Sequence, residues 1–308
     1  MIRKQDNDTR LLYMADGEIR MTPDRLGFLR GRPYTVLENL SDPVRHRSNG
    51  KYRMKQVAIG SLSLSKIVCG TNPFYGHSHF SAARNAEYLR RFDDQTIERT
   101  MQRCIGLGIN AVESCANERV ISILARMRSK HAEPIHLVGS TRIDETSEIK
   151  SHQQKLSFLI ENRAEVCVVH AQYVDRPRKG DAIDGLPQLI EKIHNAGLLA
   201  GISTHRVETV ALCERQGYGI DTYLFPLNLS GFVYPGYEGT ESVRERISIV
   251  RNTPKPFILI KVLGAGRIPP DEGLQFVAEN AKPTDLISIG FATEDEVSEA
   301  AELVENLF

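Results

Sequence analysis

The sequence carries no charge excess of either sign. Its 308 residues hold 39 Lys and Arg against 39 Asp and Glu, for a formal net charge of zero. A nucleic-acid binder normally shows a basic surplus or stripe, so that class of partner is not expected. Long apolar runs are missing too: none reaches the roughly 18 residues that would support a membrane-spanning helix. The opening MIRKQDNDTR contains no apolar stretch of the kind found in secretory signals. Cysteines are few and scattered. Cys69, Cys104, Cys115, Cys167 and Cys213 never form a C-x-x-C pair and are odd in number. They read as reduced thiols of a cytoplasmic protein, without a disulfide frame or zinc cluster. What is present, 41% hydrophobic and 25% charged residues, is the composition of a globular chain with a sizeable core.

Residues 1–50 are polar and irregular, with turn signals at RGRP and SDP. They read as an N-terminal extension, an arm or lid that packs on the domain or on a second copy of the chain; a poorly ordered terminus is the alternative. From residue 51 onward, β-branched runs alternate with helical patterns. KIVCG, NAVES, IHLVGS, EVCVVH, LLAGIS, TYLFPLN, FILIKV and LISIGF are nearly continuously apolar, as strands buried on both faces must be. The segments between them have readable ends, such as the Gly106 and Gly108 stop and the Thr293 N-cap. Strand–helix alternation repeated eight times predicts a (β/α)₈ barrel over residues 51–308, with an open doubly wound sheet as competitor. A hairpin over about Met54–Leu64 would plug its N-terminal end.

MKQVAIGSLSLSKIVCGTNPFYG resembles the hairpin and first strand of aldo-keto reductases. GLGINAVES, AGLLAGISTHRVETV and SIGFATEDEVSEAAELV are similar to the second-strand, fifth-strand and last-strand regions of that family. The resemblance implies the barrel fold and, in ordinary members, carbonyl reduction by Asp, Tyr, Lys and His with a nicotinamide cofactor. Matched residue by residue, Glu113 stands for the Asp, Glu118 falls where the Tyr belongs, Arg142 replaces the Lys, and only His170 is kept. Loss of the phenol argues against ordinary carbonyl reduction, although Tyr75 in the first loop is a possible substitute. Glu294, Asp295 and Glu296 after the last strand would repel a 2′-phosphate, so no cofactor, or NAD rather than NADP, is expected.

In a parallel barrel the strand ends converge on one mouth, so polar residues there are the candidate site. His170, His205, Lys261 and Glu113 are the candidate catalytic groups: imidazoles titrate near neutrality, and a desolvated Lys amine becomes a base or nucleophile. An ion pair between Lys261 and Glu113 is the competing reading. Asn72, Tyr75, His79, Arg142 and Asn228 are candidate substrate contacts. The loops LGAGRI and GFAT offer Gly264, Gly266, Arg267, Gly290, Ala292 and Thr293 for an anion or cofactor, unless their glycines merely serve tight turns. A divalent metal would have to use His79, His170, His205 and Glu113, a set without a recognised spacing. The aromatic loop FPLNLSGFVYPGYEG is a candidate lid, and Cys115 is read as lining. Together these features predict a small-molecule enzyme performing non-redox lyase or isomerase chemistry on a polar carbonyl- or sugar-like substrate. An NAD-dependent oxidoreductase with an altered tetrad and an inactive barrel serving as a binding subunit are the alternatives.

Overall fold

The computed structural model describes residues 54–142, 149–177 and 180–308. The reading of residues 1–50 as an arm lies outside the described residues.

The hairpin comes first. β1 (Gln56–Ile59) pairs antiparallel with β2 (Leu62–Ser65), Gln56 opposite Ser65 and Ile59 opposite Leu62. Its turn rests on Gly60 at φ 56°, a left-handed conformation that a residue without Cβ enters cheaply. Eight parallel strands then close on themselves: β3 (Ile67–Gly70), β4 (Ala111–Cys115), β5 (His136–Ser140), β6 (Val166–Val169), β7 (Leu199–Ser203), β8 (Thr222–Pro226), β9 (Phe257–Ile260) and β10 (Leu286–Gly290), which pairs back onto β3. The helices are α1 (Ala82–Arg91), α2 (Asp94–Gly106), α3 (Glu118–Lys130), α4 (Ile149–Glu161), α5 (Ala171–Val174), α6 (Leu186–Asn195), α7 (Val207–Gln216), α8 (Val243–Asn252), α9 (Pro270–Asn280) and α10 (Glu294–Leu307). This is a (β/α)₈ barrel.

Two apolar layers follow from the two-residue period of a strand. Cys69, Val112, Leu137, Cys167, Phe225 and Leu259 face outward and pack under the helices. Val68, Ala111, Val138, Val166, Val168, Leu224, Ile258 and Leu286 face inward and form a second cluster with Val57, Ile59 and Leu64 of the hairpin. The hairpin therefore closes the N-terminal end with its apolar face. Each Val, Leu, Ile or Phe among these side chains, once removed from water, contributes about 1.5–3 kcal/mol. Asn110 locks the plug in place: its Oδ1 accepts from the Ser65 N–H (2.7 Å) and its Nδ2 donates to the Ser63 carbonyl (3.1 Å). With one end sealed, the interior opens only at the C-terminal ends of the strands.

Candidate active site

Above the apolar layer the same inward register turns polar. Continuing each strand by two residues at a time carries Ala111 to Glu113 and Cys115, Val138 to Ser140 and Arg142, Val168 to His170, and Val68 to Gly70 and Asn72. On the remaining strands it reaches Ser203 and His205, and Ser288 and Gly290. All of these line one cavity of about 770 Å³ at the barrel mouth, together with His79, Lys261 and the rim residues Arg84, Glu296 and Glu299.

Lys261 breaks the register in an instructive way. Ile260 already faces the cavity, so an extended Lys261 would point outward. Its φ is instead 57°, a left-handed conformation that side chains with a Cβ adopt only under constraint. The turn brings consecutive residues to the cavity wall. Hydrogen bonds hold it there: the Lys261 carbonyl accepts from Asn228 Nδ2 (3.0 Å) and from the Gly264 N–H (2.8 Å), and Leu227 N–H donates to Ile260 (3.2 Å).

Three charges face one another on the cavity floor. Burial raises Glu113 to about 7, with Arg142 and Lys261 pulling the other way. Burial also lowers Lys261 to about 8, opposed by Glu113 and assisted by Arg142. Glu113 and Lys261 feel each other's charge but are not a contact ion pair. Both therefore titrate close to neutral pH, which neither does in water. The imidazoles divide into two kinds. Burial, then the nearby cations, drives His79 and His170 down to about 3. The expectation that His170 titrates near neutrality is thus corrected: it is a neutral ring. Its Nδ1 accepts from the Gln172 N–H (3.3 Å), which places the proton on Nε2 as a donor to the cavity.

His205 is built differently. Its Nδ1 lies 3.5 Å from Asp175 Oδ2, which also accepts from the His205 N–H (2.8 Å). Asp175 Oδ1 accepts from the hydroxyls of Thr204 (2.5 Å) and Thr209 (3.0 Å). Burial alone would raise the Asp175 carboxyl, but these donors, with His205 foremost, bring it below its ordinary value. A buried carboxylate thus sets the ring orientation and turns Nε2 away from itself. Tyr234 meets the His205 ring edge-on at 5.2 Å, and Tyr237 OH and Arg246 Nη1 both donate to the His205 carbonyl (2.9 and 3.0 Å). The aromatic loop after β8 is pinned on this histidine.

Several sequence-predicted residues are not brought to the site. Tyr75 lies behind the wall, its hydroxyl 2.8 Å from Ser114 Oγ, with burial pushing the phenol far above its usual range. It does not replace the missing tyrosine. Glu118 opens α3 on the exposed surface. Asn228 is 1% exposed and spends itself on the loop: Nδ2 donates to Phe232 and Lys261 carbonyls, and Oδ1 accepts from Ser230 and Phe232. It is a positioning residue for Lys261 rather than a substrate contact. The metal set fails as well, because among the described residues no three His, Cys, Asp or Glu side chains converge to hold an ion.

The anion loops are corrected in detail. Gly264 and Gly266 N–H groups close turns onto the Lys261 and Leu263 carbonyls (2.8 and 2.9 Å). Arg267 donates to the carbonyls of His79 and Gly264 (both 3.1 Å) and lies over the rings of Phe80 and Phe232. The Ala292 N–H is taken by Glu296 Oε2 (2.7 Å), and Thr293 Oγ1 caps α10 through the Glu296 N–H (3.2 Å). Gly290 lines the cavity as the last residue of β10, opposite Gly70 of β3, with Pro73 close against it.

Sequence reasoning missed Asp175 and Ser140. Ser140 is 4% exposed, lines the cavity, and its hydroxyl has no partner among the described residues, so it is available to a substrate oxygen. The two-residue step back from Arg142 was the available signal. Asp175 carried none, because a loop after α5 brings it beneath His205.

A barrel closed by a two-stranded hairpin, with its polar mouth at the strand ends, invites comparison with solved structures. A Pseudomonas aeruginosa protein described as an aldo-keto reductase superposes with a TM-score of 0.61 at 17% identity, covering 84% of this chain and 98% of its own. The chain has an aldo-keto reductase-like barrel. A second such protein from Pseudomonas aeruginosa gives 0.59 at 15% identity over 82% and 94% of the two chains. An aldo-keto reductase from Klebsiella pneumoniae in complex with NADPH gives 0.55 at 12% identity over 83% and 91%. No family model and no curated protein matches the sequence. Within the aldo-keto reductase-like barrel described here, the residues do not fit the phosphates of a nicotinamide dinucleotide. After β9 the N–H groups of Gly264, Gly266, Arg267 and Ile268 are spent on the Lys261 and Leu263 carbonyls, and after β10 a carboxylate sits on the Ala292 N–H.

Proposed function

We infer that this barrel is a small-molecule enzyme that carries out non-redox lyase or isomerase chemistry on a small, polar carbonyl- or sugar-like substrate. The observation that carries the reading is Lys261, turned into the cavity by a left-handed backbone and set beside Glu113 in a desolvated floor. With its pKa near 8, about a quarter of the amine is unprotonated at pH 7.5, against about one part in a thousand for an ordinary lysine. That amine can attack a carbonyl carbon, with water leaving as the imine forms. Glu113, near 7, accepts and returns the protons this exchange requires. His170 Nε2–H and Arg142 hold substrate oxygens together with Asn72, Ser140 and His79. His205, oriented by Asp175, exchanges a proton with substrate. An oxidoreductase reading would have to draw its phenol from Tyr88 of α1 or Tyr234 of the loop after β8, neither of them at a strand end, and would meet Glu296 already on the Ala292 N–H. A purely binding role would not call for ionisable groups held close to neutrality at the floor.

The test is reductive trapping. The full chain is incubated with small aldehydes and ketoses, reduced with borohydride and weighed intact, and the modified peptide is sequenced. The expected result is one adduct at Lys261 in the wild type and none at that position in Lys261→Met. Failure of every carbonyl to label Lys261 above the other lysines would remove the imine route.

A further inference from the structure

The corner of a (β/α)₈ barrel beyond its seventh and eighth strands is where such enzymes commonly seat phosphate groups, on backbone N–H donors and helix N-termini. Here those strands are β9 and β10, and a run of the corner's donors is already occupied. The N–H groups of Gly266, Arg267 and Ile268 all donate to the Leu263 carbonyl (2.9, 3.1 and 3.2 Å), and that of Gly264 goes to Lys261 (2.8 Å). Pro269 and Pro270, at the start of α9, have no N–H to give, and no side chain caps that helix. Its first turn carries Asp271 and Glu272. On the other side, Glu296 reaches back from the first turn of α10 and accepts the Ala292 N–H at 2.7 Å, while still lining the cavity. The two guanidinium groups bonded at the corner are engaged as well: Arg267 by carbonyl oxygens and two aromatic faces, and Arg91 through Nη1 by the Ala292 carbonyl (3.3 Å).

A phosphate entering this corner meets a carboxylate where it needs a donor. It would have to displace a charge-assisted hydrogen bond and approach a like charge at close range. We propose that Glu296 is an internal substitute for phosphate, and that the carbonyl compound handled at Lys261 is a non-phosphorylated one. The second half of this statement rests on the function inferred for Lys261, whereas the first does not. Glu296 is then the specificity-determining residue of the outer cavity. It excludes sugar phosphates and nicotinamide dinucleotides alike, while a neutral hydroxylated tail passes it.

Two measurements on the full chain separate these claims. In the first, inorganic phosphate is titrated and followed by phosphorus NMR line broadening, and NADH is titrated by its fluorescence. Wild type is expected to show neither, and Glu296→Ala to bind phosphate at least about tenfold more tightly, the ratio supplied by about 1.4 kcal/mol. Glu296→Gln, which keeps an oxygen for the Ala292 N–H without the charge, provides a second variant if the alanine form is unstable. Wild type binding phosphate or NADH as well as either variant overturns the proposal, and so does a folded variant that gains no phosphate affinity. In the second, glyceraldehyde and glyceraldehyde 3-phosphate compete for borohydride trapping. Wild type is expected to favour the non-phosphorylated aldehyde at Lys261 by about tenfold or more, and Glu296→Ala to narrow that ratio. Equal trapping in wild type refutes the substrate class and leaves the Lys261 chemistry standing. No trapping of either aldehyde refutes the Lys261 chemistry and the substrate class built on it, and the phosphate titration still decides the role of Glu296.

Discussion

Replacing Lys261 with Met tests the charge at the cavity floor without any substrate. Burial is the largest influence on the ammonium; Glu113 opposes it, Arg142 adds to it, and the balance takes the group from 10.5 to about 8. With the folded value below the unfolded one, the unfolded chain binds more protons between those two pH values, so stability rises with pH across that window. Below pH 8 the protonated amine costs the fold its full penalty, about 3 kcal/mol at about 1.4 kcal/mol per pH unit. Met is close in length and shape, carries no charge, and keeps the Cβ that makes the left-handed backbone unfavourable, so the strain is common to both proteins. At pH 6.5 Glu113, held near 7, is mostly protonated and loses little when its cation disappears. Lys261→Met is therefore expected to be more stable than wild type by about 2–3 kcal/mol at pH 6.5. For a domain of this size that is a gain of about 5–10 °C in the thermal midpoint. The gap should shrink to a few tenths of a kcal/mol near pH 10.5. Urea unfolding followed by circular dichroism at pH 6.5, 8.5 and 10.5 reads both quantities. A variant less stable than wild type at pH 6.5, or a gap that does not change with pH, refutes the claim that the floor holds a desolvated ammonium.

Two further substitutions probe how the site is held. Asn228→Ala removes the donor to the Lys261 carbonyl and leaves loop N–H groups unpaired. It is expected to lower stability by about 2–3 kcal/mol in urea unfolding and to suppress trapping at Lys261 even where the chain remains folded. A folded Asn228→Ala protein that traps carbonyls like wild type would show that the pin is not needed. Asp175→Asn replaces the carboxylate beside His205 Nδ1 with an amide. Nitrogen-15 spectra should show the Nδ1–H tautomer of His205 in wild type and a mixture in the variant; identical spectra would deny Asp175 its orienting role.

Much of the fold was legible in the chain. KIVCG, EVCVVH and LISIGF are apolar on both faces because both faces of a barrel strand are covered, one by helices and one by the interior cluster. The alternation of such runs with helical segments admits few closed arrangements, and the hairpin's apolar face needed an interior to fill. The same two-residue period carried Glu113, Arg142, His170 and His205 to one mouth, since parallel strands all end on the same side.

The failures have a common cause. Asn228 sat at a strand end and Tyr75 in the first loop, but a polar atom takes whatever partner its surroundings supply, and here the partners were backbone carbonyls and Ser114. The glycine loops looked like anion cradles because sequence shows a donor's presence and never its occupancy. Sequence alone therefore determined the architecture and the composition of the mouth, through periodicities that act locally along each strand and helix. Tertiary structure decided that Lys261 turns inward, that Asp175 lies beneath His205 and that Glu296 takes the Ala292 N–H. The first two depend on hydrogen bonds between residues far apart in the chain, Asn228 with Lys261 and Asp175 with His205, which no local pattern encodes; the third is a bond four residues long whose presence, not its possibility, the fold decides.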